Sequence, residues 1–90
     1  MEVQGKIIKV LKLESGVSQS TDKEWKRQSF VIETFGDYPK KICLQCWNTM
    51  VDHLSNRKEG DTVECRFTVE SREYNERWYT DVHCSKIELL

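Results

Sequence analysis

Ninety residues give room for one small domain with a modest core, not for an enclosed substrate chamber. Hydrophobic residues make up 38% and charged residues 32%, the balance of a globular chain rather than a disordered one. Lys plus Arg number 14 against 15 Asp plus Glu, for a net charge of −1. That balance excludes a histone-like architectural protein and requires any polyanion-binding cations to be sorted onto one face.

The longest apolar stretch, Ile7-Ile8 followed by Val10-Leu11, is far short of the ~20 apolar residues of a membrane span. The first residues lack the charged-then-apolar layout of a signal peptide. A cytoplasmic location is therefore expected, with Cys43, Cys46, Cys65 and Cys84 as reduced thiols.

Alternation of apolar and polar residues dominates the chain, and neither a repeat nor a low-complexity segment interrupts it. A first strand is predicted over residues 1–13, with Gly5 as the point where a bulge or tight bend lets it curl. Residues 14–24 are polar and aperiodic and are predicted as a loop. The second strand covers residues 25–34, with Gln28, Phe30 and Ile32 on one face and Trp25, Arg27, Ser29 and Val31 on the other. Gly36 and Pro39 mark a turn.

A third strand follows over residues 40–47. Ile42, Leu44 and Cys46 share its inner face, and Lys41, Cys43, Gln45 and Trp47 its outer face. Asn48 is predicted to cap a short helix through Met50, Val51 and Leu54. The fourth strand covers residues 62–74, with Val63, Cys65, Phe67 and Val69 inward. Asn75-Glu76 forms a two-residue hairpin turn, and the fifth strand covers residues 77–88, with Trp78, Thr80, Val82 and Cys84 in one phase.

Five strands with one helix between the third and fourth are the layout of an all-β OB-fold barrel, here a single domain over residues 1–90. A closed barrel also removes the exposed edges of so many strands. SH3-like barrels and small Greek-key domains have a similar number of strands.

Cys46-Trp47, Leu54, Lys58-Glu59-Gly60-Asp61-Thr62-Val63, Val69-Glu70-Ser71-Arg72 and Trp78-Tyr79-Thr80-Asp81-Val82 together resemble the bacterial single-strand DNA-binding proteins. The whole chain more closely resembles a small uncharacterised bacterial OB-fold family of single-strand-binding character. That likeness rests on Met1-Glu2-Val3-Gln4-Gly5-Lys6-Ile7, Ser15-Gly16-Val17-Ser18, Trp25-Lys26, Phe30-Val31-Ile32-Glu33-Thr34, Tyr38-Pro39-Lys40-Lys41, Glu70-Ser71-Arg72-Glu73-Tyr74 and Arg77-Trp78-Tyr79-Thr80-Asp81. The resemblance implies an OB fold and binding to single-stranded nucleic acid. Two departures stand out. No acidic recruiting tail follows Ile87-Glu88-Leu89-Leu90, so either there is none or it lies outside this sequence, and the net charge lacks the expected basic excess.

Single-strand binding requires rings for base stacking beside cations for phosphates. Trp25, Trp47, Tyr38 and Trp78 are the candidate stacking residues. Lys23, Lys26, Arg27, Lys40, Lys41, Arg72 and Arg77 are the candidate phosphate contacts. The alternative places Trp25 and Trp47 at the barrel ends or in a dimer interface. On the hairpin, Glu70, Glu73 and Glu76 interleave with Arg72 and Arg77, a pattern that also suits cross-strand ion pairs on a solvated face.

Cys43 and Cys46 have zinc-knuckle spacing, but their strand phase sets them on opposite faces and no second knuckle is present, so no metal site is expected. No nucleophile–base pair or phosphate loop accompanies His53 and His83, so neither an enzyme nor a cofactor is expected. The expected partner is single-stranded DNA or RNA, without strong sequence preference and without a membrane or small-molecule substrate. A homodimer or higher homo-oligomer is expected to seal the edge strands. The rival reading is a protein-interaction or assembly module on the same barrel.

Overall fold

The computed structural model describes residues 1–90 and contains six strands and one helix. They are β1 (Glu2–Val10), β2 (Glu14–Val17), β3 (Glu24–Thr34), β4 (Lys41–Trp47), α1 (Thr49–Ser55), β5 (Thr62–Tyr74) and β6 (Arg77–Leu89). No helix is long and apolar enough to cross a membrane. Five of the strands close a ring of pairings, β1 with β5, β5 with β6, β6 with β4, β4 with β3 and β3 back to β1. The β4–β6 seam is parallel, at Gln45 and His83, and the other pairings are antiparallel.

β1 closes the ring by changing partners along its length. Glu2 to Lys6 pair with β5, and Gly5 to Val10 pair with β3. Gly5 lies in both ladders, opposite Thr34 and Val63. A Cβ there would sit 2.7 Å from the Glu33 carbonyl oxygen, so only glycine allows the approach. The bulge expected of this strand lies two residues further on, between Ile7 and Lys9.

The inward phases match the alternation in the sequence. Ile7, Phe30, Ile32, Leu44 and Val63 are completely buried, and Cys46, Cys65 and Cys84 fill the same core. The seven residues of α1 are too few for a stable isolated helix. Val51 and Leu54 anchor it on the barrel, and burial of each contributes roughly 1.5–3 kcal/mol.

Three expectations are corrected. The segment predicted as a loop from residue 14 begins with β2, which pairs Glu14, Ser15, Gly16 and Val17 with Arg27, Lys26, Trp25 and Glu24. Its ladder is made of backbone groups on an exposed edge, so it needs no apolar alternation. The first strand ends at Val10, not at residue 13. Asn48 precedes α1 without a side-chain cap; at φ 51° its Oδ1 instead accepts from the Lys26 backbone N–H at 3.1 Å.

The β5–β6 hairpin runs past the barrel, and every residue from Thr68 to Thr80 is exposed. Asn75 and Glu76 both adopt positive φ, 52° and 64°, the mirror-image turn that suits the twist of two antiparallel strands.

Candidate functional site

The outer faces of β3 and β4 meet in antiparallel register, with Arg27 opposite Trp47 and Glu33 opposite Lys41. Trp25, Arg27, Ser29 and Val31 therefore share one surface with Trp47, Gln45, Cys43 and Lys41. At the end of this surface near α1 the Trp25 and Trp47 rings lie 5.9 Å apart, tilted by 47°. The Arg27 guanidinium lies 5.4 Å from the Trp47 ring centroid, within cation–π range. Trp47 is 38% exposed and Trp25 is half-buried, so both indoles lie outside the core.

Gly16 of β2 sets the position of Trp25. A Cβ at Gly16 would lie 2.8 Å from the indole Cζ2, so the ring packs flush on a strand that has no side chain there. Gly16 thus forms the floor for one of the two rings.

The candidate residues divide into three groups. Trp25, Arg27 and Trp47 are brought together, with Lys26 next to them on the α1 side. Lys41 lies at the opposite end of β4, six residues or about 20 Å from Trp47, and Tyr38 and Lys40 precede it in the β3–β4 connection. Tyr38 is 88% exposed. Lys23 lies in the β2–β3 connection, one residue before β3.

The third group is on the projecting hairpin. Arg72 pairs with Tyr79 and its guanidinium lies 5.9 Å from that ring, while Tyr74 pairs with Arg77 on the same face. This face runs back through His83 to Gln45 and joins the β4 surface; Gln45 donates to Asp81. Trp78 pairs with Glu73 and projects from the opposite face, away from Arg72 and Tyr79.

Carboxylates engage several of the cations. Lys26 pairs with Asp52 of α1, Arg27 pairs with Glu14 of β2, and Arg72 approaches Asp81 at 3.9 Å. Lys23, Lys40, Lys41 and Arg77 form no ion pair. Lys12 escaped sequence reasoning. It lines a hollow of about 350 Å³ with Arg27, Ser29 and Gln45, and no periodicity marks it because it follows the end of β1.

Cys43 alone among the thiols is exposed, near the middle of the β3–β4 surface opposite Val31. Cys46 and Cys65 share the core with Cys84, whose thiol donates to the Lys86 carbonyl at 3.5 Å. The neighbouring Cys84 thiol, together with burial, pushes the Cys46 and Cys65 thiols above the usual range.

A family model described as "Domain of unknown function (DUF3127)" matches residues 2–88. No curated protein sequence matches the chain. Several solved structures share its fold. A mitochondrial single-stranded DNA binding protein from S. cerevisiae superposes with a TM-score of 0.72 at 13% identity, covering 100% of this chain and 92% of that one. The SSB domain of a protein from Synechococcus sp. gives 0.66 at 14% identity, over 97% and 90%. A small single-stranded DNA-binding protein from Streptomyces coelicolor gives 0.53 at 11% identity, over 99% and 91%. At such identities the likeness establishes the OB fold and its short helix between the third and fourth strands of the ring, once the edge strand β2 is set aside.

Proposed function

The chain belongs to the DUF3127 family, and on that premise we propose that its barrel binds single-stranded nucleic acid across the β3–β4 face, in the cytoplasm. The observation that carries this reading is the Trp25–Trp47 pair, two indoles 5.9 Å apart on the outer sheet with Arg27 against one of them. Bases stack on such rings whatever their sequence, at about 1–3 kcal/mol per base. The names of the fold's solved relatives, single-stranded DNA-binding proteins, point the same way.

The strand would run from the Trp pair past Ser29, Gln45 and Cys43 to Tyr38, Lys40 and Lys41. Lys12, Lys23 and Lys41 would meet phosphates. Lys26 and Arg27 would have to leave Asp52 and Glu14 or share them. With these carboxylates in place, binding is modest and falls steeply with salt. Arg72, Arg77 and Tyr79 extend the same surface along the hairpin, and Trp78 does not face it.

A second reading, a protein-assembly module built on a homo-oligomer, is favoured by the exposed hairpin aromatics Tyr74 and Trp78, each 68% exposed. Titration with a fluorescent oligothymidylate at low salt separates the two. Binding that quenches tryptophan fluorescence and shields Cys43 from a maleimide supports the nucleic-acid reading. No binding at low salt removes it.

A further inference from the structure

A hollow of about 570 Å³ lies between β2 and α1 and is lined in part by Trp25 of the proposed stacking face. Its size falls within the range of about 300–1,000 Å³ typical of small-ligand pockets. Its polar lining is unlike that of a phosphate site. Glu24 and Asp52 contribute carboxylates, and the one cation, Lys26, is already paired to Asp52. The Glu24 carboxylate forms no ion pair with any other residue. A phosphate is repelled from such a lining, whereas an uncharged group rich in N–H donors is drawn into it.

Trp25 and these acceptors line the same hollow. Among the four DNA bases only guanine carries two adjacent N–H donors on its pairing edge, at N1 and at the N2 amine, one for each carboxylate of the lining. Adenine, cytosine and thymine each present one donor group there. We infer that this hollow is a guanine pocket, in which Trp25 forms the wall and Glu24 and Asp52 accept from the N1–H and N2 amine of the base. Gly16 belongs to the pocket as well, because it lets the Trp25 ring lie flush on β2 and leaves the cavity open beside it. The inference rests on the stacking face proposed above and adds base preference to it.

The test is fluorescence anisotropy at low salt with nonathymidylate and with nonamers carrying one central guanine, adenine or hypoxanthine. The guanine oligomer is expected to bind about tenfold tighter than nonathymidylate, at the lower end of what a bidentate base contact supplies, because both carboxylates are exposed. The hypoxanthine oligomer, which lacks the N2 amine, and the adenine oligomer should bind close to the level of nonathymidylate. In Glu24→Gln and in Asp52→Asn the guanine-to-thymine ratio should fall to about one. Circular dichroism reports on the fold of each variant, and neither residue is in the core. Adenine matching guanine, or a ratio preserved in both variants, overturns the pocket. If nonathymidylate binds and guanine binds no tighter, the pocket falls and the stacking face stands. If nonathymidylate itself does not bind, both fall.

Discussion

Replacing Trp47 with alanine tests the stacking face most directly. The ring lies outside the core, in contact with Trp25 at 5.9 Å and with Arg27 at 5.4 Å. Losing an aromatic pair costs about 0.5–1.5 kcal/mol and losing an exposed cation–π contact about 0.5–1 kcal/mol. None of the completely buried residues loses a neighbour of the same strand face, since Trp47 is on the outer side of β4. The expected destabilisation is thus roughly 1–2.5 kcal/mol, a drop in Tm of several degrees for a domain of this size. Nucleic-acid affinity should fall by about 1–3 kcal/mol, or roughly five- to 150-fold. A removed ring releases no counterion, so the slope of log affinity against log salt should not change. Anisotropy of a labelled oligothymidylate, measured over a salt series well below the melting temperature of the variant, reads both quantities. An affinity loss under twofold refutes stacking on Trp47. A large loss accompanied by a shallower salt slope means that the ring acted only by holding Arg27 in place.

Other consequences are as direct. Lys41→Gln removes an unpaired cation from the far end of the face, and the salt slope should become shallower by about one, with a similar loss for every oligonucleotide sequence. A thiol reagent should titrate one cysteine quickly in the native protein, Cys43, and all four in denaturant. Rapid native labelling of Cys46 or Cys65 would contradict their burial and their raised thiol range. Glu76→Gly should raise stability by about 0.5–1 kcal/mol, seen as a higher Tm, because a non-glycine residue at φ 64° carries steric strain that glycine does not.

Residue patterning made most of the architecture legible. Period-two alternation placed Phe30, Ile32, Leu44 and Val63 inside, and it placed Trp25, Trp47, Gln45 and Cys43 outside. The alternation faded along the hairpin. Val69 continues the inward phase of β5 yet is 44% exposed, since the strand has left the barrel by that point. β2 gave no signal because its register depends on backbone bonds to β3, and polar residues satisfy those as well as apolar ones do.

Strand phase and turn chemistry are local properties, and the sequence alone determined them: which side chains of the ring strands face the core and where the hairpin turns at Asn75. Partners distant in sequence were left to the tertiary structure. Placement of β2 and α1 beside β3 set Glu14 against Arg27 and Asp52 against Lys26, and the length of β4 set Lys41 about 20 Å from Trp47. Alternation specifies a face but not a distance along it, and an ion pair depends on where two separate segments meet. The hollow beside Trp25 therefore became visible only once β2, β3 and α1 had been brought together.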